Sequence, residues 1–122
     1  MTLESCYAMM GGDLEGVRGR LLTDERVAKF VGMFPHDDTF ANLERAMEAH
    51  ALEDAFRAAH TLKGVSHDLG FMPLHVAADE LTQALRPVKE GGAVDEAALV
   101  PLMEAVQDAY RTTIDALATV NE

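Results

Sequence analysis

Apolar side chains recur at steps of three and four through most of this 122-residue chain, most regularly between residues 52 and 69. Drawn at about 100° per residue, Leu52, Ala55, Phe56, Ala59, Leu62, Ser66 and Leu69 fall on one side of a helix. Such a stripe has to pack against something. Glu53, Arg57, His60, Gly64 and His67 fall on another side, with Lys63 on its flank. His60 therefore points away from the core, with one basic residue a turn before it and another a turn after. Gly64 sits beside it. A glycine inside an exposed helix costs about 1 kcal/mol relative to alanine, and it leaves bare backbone where something can come close.

The same periodicity divides the rest of the chain. Residues 2–10 make a short helix that Gly11-Gly12 ends, and Asp13 caps a second one over 14–20. Thr23 precedes Asp24-Glu25, an N-cap followed by acids in the first turn. Val27, Phe30, Val31 and Phe34 form the stripe of this third helix, and Pro35 ends it. A helix is predicted from about 36 to 49, with Phe40, Leu43, Ala46 and Met47 inward. His50-Ala51 is a tight break without glycine. The His60 helix runs from about 51 to 68, with Gly70 at its C′ position. The next starts near Pro73, which a first turn tolerates, and turns Leu74, Ala77, Ala78, Leu81, Ala84, Leu85 and Val88 inward. Gly91-Gly92 is a loop. The last helix is capped at or just after Asp95, and Pro101 either sits in its first turn or kinks it.

No strand-like alternation, internal repeat or low-complexity segment interrupts this pattern. Four long helices with short loops predict an all-α fold, an antiparallel four-helix bundle over 36–120, with the short additional N-terminal helices of 1–35 at one end. The whole of 1–122 reads as one domain. The start at Met1 and the end just past the last helix read as a separate small protein.

Composition narrows the function. The formal net charge is −11, which argues against nucleic acid and against an anionic membrane surface as partners. No apolar run approaches the ~20 residues of a membrane span, and no signal peptide is visible. The single cysteine, Cys6, reads as a small apolar residue of the first helix, and a reducing, cytoplasmic location is expected.

Against that acidic background, Arg57 and Lys63 form a local island of positive charge around His60. Neutral imidazole is a nucleophile, a cation one turn away attracts a phosphoryl oxygen, and glycine gives clearance. Together these describe a phosphoryl acceptor. Two ordinary readings compete. An Arg57–Glu53 pair accounts for the arginine, at a few tenths of a kcal/mol. A metal shared by His60 and His67 would have to bridge Cα atoms about 10.5 Å apart, and no cysteine cluster helps, so no metal site is expected. His36, His50 and His75 read as surface or boundary residues.

His60-Thr61-Leu62-Lys63-Gly64, followed by Leu69-Gly70, resembles the phosphorylation motif of the histidine-containing phosphotransfer (HPt) family. The match is His, Leu, Lys and Gly at offsets 0, +2, +3 and +4, then Leu-Gly at +9 and +10; Val65, His67 and Asp68 depart from the usual pattern. The resemblance implies the same helical bundle. It implies His60 as phosphoacceptor, Lys63 as the stabiliser of the phosphoryl oxygens, and Gly64, Arg57 and His67 on the partner-docking face. The partners it implies are receiver domains of response regulators and hybrid sensor kinases. It implies no cofactor on this chain, the Mg²⁺ being the receiver's. The chain has no nucleotide site, so no ATP-dependent kinase activity of its own is expected. The alternatives are a helical adaptor that binds receivers without chemistry and a metal-binding helical bundle.

Overall fold

A computed structural model describes residues 2–121. Among these it contains seven α-helices: α1 (Leu3–Met10), α2 (Leu14–Leu21), α3 (Asp24–Met33), α4 (Thr39–Glu48), α5 (Leu52–Asp68), α6 (Met72–Lys89) and α7 (Glu96–Ala118). Two 3-10 turns, Phe34–His36 and Thr119–Asn121, complete it. The fold is an all-helical bundle.

The helix ends follow local chemistry. Side chains of Thr2, Asp13, Thr23 and Asp95 each accept a backbone N–H of the turn that follows, capping α1, α2, α3 and α7. α5 closes through a Schellman motif: the Gly70 N–H donates to the His67 carbonyl and the Phe71 N–H to the Ser66 carbonyl. Gly70 takes φ 70° there, the left-handed region in which a Cβ is disfavoured. A Cβ at Gly70 would also lie 2.5 Å from Val17. The break before α5 is made without glycine: His50 itself takes φ 55°, a conformation in which histidine is enriched among non-glycine residues.

The course of the chain differs from the sequence reading in two places, around Pro35 and at Pro101. Pro35 does not simply stop α3; the chain tightens into the Phe34–His36 turn, and α4 begins at Thr39 rather than near 36. The Asp37 carboxylate accepts from the Thr39 N–H at that start. Pro101 lies in the second turn of α7, and the helix runs on through it. α6 continues through Pro87 to Lys89, in keeping with its inward stripe reaching Val88. Of the predicted inward residues, Phe30 is exposed, and Val88 is half-buried.

Packing runs between neighbours in sequence: α4 on α5, α5 on α6, and α6 on α7. Phe40 of α4 stacks on Tyr110 of α7, with ring centroids 3.8 Å apart. Buried Leu43, Phe56, Leu62, Leu74, Leu81, Leu85 and Val106 belong to one continuous apolar core. The α5 stripe enters it as expected, and Ser66, fully buried, satisfies its hydroxyl on the Leu62 carbonyl at 2.6 Å.

The N-terminal helices close the end of this core at the α5–α6 turn. Tyr7 is buried and its hydroxyl donates to the Leu69 carbonyl at 2.7 Å. The Asp13 N–H donates to the Gly70 carbonyl, and the Arg20 guanidinium donates to the carbonyls of His67 and Asp68. Cys6 is buried beside Tyr7 on α1, and burial pushes its thiol pKa up, which disfavours the reactive thiolate.

Candidate functional site

Because α5 buries one face and closes on Gly70, its opposite face is held open to solvent. His60 is exposed on that face. Its ring lies almost parallel to that of Phe56, one turn earlier, with 11° between the planes and centroids 6.0 Å apart. Phe56 is itself 5 % exposed, so the imidazole rests on a core side chain. Among the described residues no hydrogen bond engages the His60 ring. A Cβ built on Gly64 meets nothing within 4 Å, so the surface one turn on is open.

Lys63 is on the flank, as the helical wheel placed it, but it is not a free cation. Its Nζ lies 2.9 Å from Asp79 Oδ1 on α6. Lys63 and Gln83 hold the Asp79 carboxyl below its usual pKa by donating hydrogen bonds to it. Arg57 is also paired, with Asp54 rather than Glu53. The island of positive charge on α5 is therefore compensated residue by residue. The cations of this region without a carboxylate partner among the described residues are Arg86 and Lys89, in the last turn of α6. Both lie over the Phe56 ring, at 5.5 and 5.6 Å from its centroid, close enough for cation–π attraction.

His67 stands on the side of α5 that faces α6, and His75 is its neighbour there, with ring centroids 5.1 Å apart. His75 is half-buried, a boundary residue as its sequence position suggests, and its Nδ1 lies 3.1 Å from the Lys63 carbonyl oxygen. A carbonyl only accepts, so Nδ1 carries the hydrogen, and the backbone of Lys63 is pinned to α6. Among the described residues no group of three His, Cys, Asp or Glu side chains is placed to hold a metal ion.

Asp79, Gln83, Arg86 and Lys89 were not singled out from sequence. Their spacing of three and four on the outward side of α6 was visible. What pairs that side with α5 was not, because the register between two helices depends on their packing. On the other flank of α5, a groove of 540 Å³ toward α4 is lined by Asn42, Arg45, Asp54, Arg57 and Thr61 among others. It reaches neither His60 nor Lys63.

The family model for the Hpt domain matches residues 35–119. The chain belongs to the Hpt family. The match covers α4 to α7 and the whole of the His60 neighbourhood, and it leaves α1 to α3 outside. Comparison with curated proteins, and separately with solved structures, finds no match. Membership in the Hpt family points to histidine phosphotransfer within a phosphorelay, with receiver domains as the class of partner. No helix among the described residues is long and apolar enough to cross a membrane.

Proposed function

We propose that this Hpt protein is a phosphorelay intermediate whose phosphoacceptor is His60. The observation that carries the reading is an imidazole exposed on a packed helix, seated on Phe56 and next to the open backbone of Gly64. His60 attacks the phosphorus of a receiver's aspartyl phosphate in line. The N–P bond forms as the acyl O–P bond breaks, the receiver carboxylate leaves, and the imidazole proton passes to solvent. The reverse sequence delivers the group to a second receiver. Catalysis here is positioning and charge balance, so a small bundle with no enclosed pocket suffices. Lys63 faces the phosphoryl oxygens from one turn away. Mg²⁺ belongs to the receiver's site, and a cytoplasmic location follows from such partners.

The docking face combines the outward side of α5, with Gly64 and Arg57, and the adjoining side of α6. The contacts from Lys63, His67 and Phe56 to α6 favour that helix over α4 as the second element. Val76, one turn before Asp79, is the large apolar residue exposed on that side, and a small apolar contact ringed by polar groups suits a transient interface.

Incubated with a phosphorylated receiver from its own signalling pathway, the wild-type chain is expected to gain an acid-labile phosphate, and His60→Gln none. Equal labelling of the variant would overturn the assignment. Receiver binding without phosphate uptake by the wild type would favour the adaptor reading instead.

A further inference from the structure

The lysine that the phosphoryl group needs is already held by a carboxylate. Lys63 Nζ sits 2.9 Å from Asp79 Oδ1, and Asp79 is steadied in turn by Gln83 Nε2 at 3.2 Å. The Gln83 Oε1 accepts from Arg86 Nε at 3.0 Å, and Arg86 lies over the Phe56 ring on which His60 stacks. Lys63, Asp79, Gln83, Arg86 and Phe56 thus form a chain of contacts that runs from the lysine one turn after His60 to the ring on which His60 stacks. Within this chain the backbone of Lys63 is fixed by His75, while its side chain is only partly buried, at 28 % exposed. The side chain can therefore turn without moving the helix.

We infer that Asp79 is a counter-ion latch for Lys63, a positioning residue that competes with the phosphoryl group on His60 for the same ammonium. The inference rests on His60 being the phosphoacceptor. With the site empty, Asp79 neutralises Lys63 and keeps it toward α6. When a phosphoryl dianion arrives one turn away, the ammonium is drawn between two anions. Asp79 then withholds part of the charge balance from the phosphohistidine and keeps it a readier donor to the next receiver. An Asp79 that merely tied α6 to α5 would affect stability and leave the phosphoryl group's electrostatics unchanged.

The test uses the full chain and potassium phosphoramidate, a small donor to imidazole. Its P–N bond breaks as the N–P bond at His60 forms, and the imidazole proton leaves with the ammonia released. The ionisation of the phosphohistidine is then read by its ³¹P shift as a function of pH. In Asp79→Asn the freed lysine favours the dianion, so the phosphoryl ionisation constant is expected to rise about threefold, the scale of one partly exposed ion pair. Uptake from phosphoramidate is expected to quicken in the same variant. Asp79→Glu is expected to restore wild-type behaviour, and the Asp79→Asn effect is expected to vanish in a Lys63→Gln background. A titration of Asp79→Asn that superimposes on the wild type, or an effect that persists without Lys63, overturns the latch. Because phosphoramidate requires no receiver, failure of transfer from receivers overturns the relay reading while the latch remains measurable. A wild-type chain that takes no label at His60 overturns both.

Discussion

Gly64 is where stability and use of the site part company. The residue is helical, exposed and unobstructed, since an added Cβ meets nothing within 4 Å. Gly64→Ala is therefore expected to stabilise the protein by about 0.5–1 kcal/mol, the helix-interior difference between the two residues, seen as a higher urea midpoint. If the open backbone is there for a docking receiver, the same variant accepts phosphate from that receiver more slowly, while labelling by phosphoramidate is little changed. A variant both more stable and equally fast with the receiver would remove clearance as the reason for this glycine. At this scale the sequence was informative about which residues face out and poor about what they touch. His60, Gly64, Arg57 and His67 lie on the exposed side that helical spacing gave them. The partner of Lys63 was hidden, because Asp79 is sixteen residues away on another helix, and only the α5–α6 register brings the two together.

Among the elements, α1 to α3 are joined by one guanidinium. Arg18 of α2 pairs with Glu4 of α1, with Glu15 in its own helix, and with Asp24 at the start of α3. Its hydrogen bonds hold the carboxyls of Glu4 and Asp24 below their ordinary pKa. A carboxyl whose pKa is lower in the folded than in the unfolded chain contributes stability above its ordinary pKa, and that contribution is lost as pH falls through the lowered value. Stability supplied by the Arg18 cluster is thus expected to be complete at neutral pH and to fade below about pH 4, the unperturbed carboxylate range. Urea midpoints measured from neutral pH down to the acid limb should separate wild type from Arg18→Ala at the upper end and bring them together at the lower. Parallel curves would mean that the cluster contributes nothing. The helix ends were legible wherever a side-chain cap or a glycine marks them, at Asp13, Thr23, Asp95 and Gly70. They were less legible around Pro35 and Pro101. Proline fixes its own φ and removes a donor, but whether the chain tightens, stops or runs on depends on what packs beside it.

For the molecule as a whole, the family match and the packing draw different boundaries. The Hpt match begins at residue 35, which taken alone suggests that what precedes it is an appendage. The core includes Cys6, Tyr7, Met10, Leu14 and Val17, and the carbonyls of Leu69 and Gly70 accept hydrogen bonds from Tyr7 and Asp13. Caps and glycines marked the first two helices in the sequence but not where their apolar faces go, since nothing in so short a helix specifies its partner. Removing residues 1–22 would expose the core-facing side of the α5–α6 turn and strip the carbonyls of His67, Asp68, Leu69 and Gly70 of the donors that Arg20, Tyr7 and Asp13 supply. Fully burying a single large apolar side chain is worth about 1.5–3 kcal/mol, and small domains have only about 5–15 kcal/mol in total. A chain beginning at Thr23 is therefore expected to lose at least about 3 kcal/mol on that scale. Amide exchange should accelerate first at the C-terminal turn of α5, within two turns of His60. If the shortened chain kept the wild-type urea midpoint and exchange pattern, α1 and α2 would be ornaments on a self-sufficient bundle. If it loosens as expected, the end of α5 that carries Gly64 and His67 is held in place from outside the region the family shares.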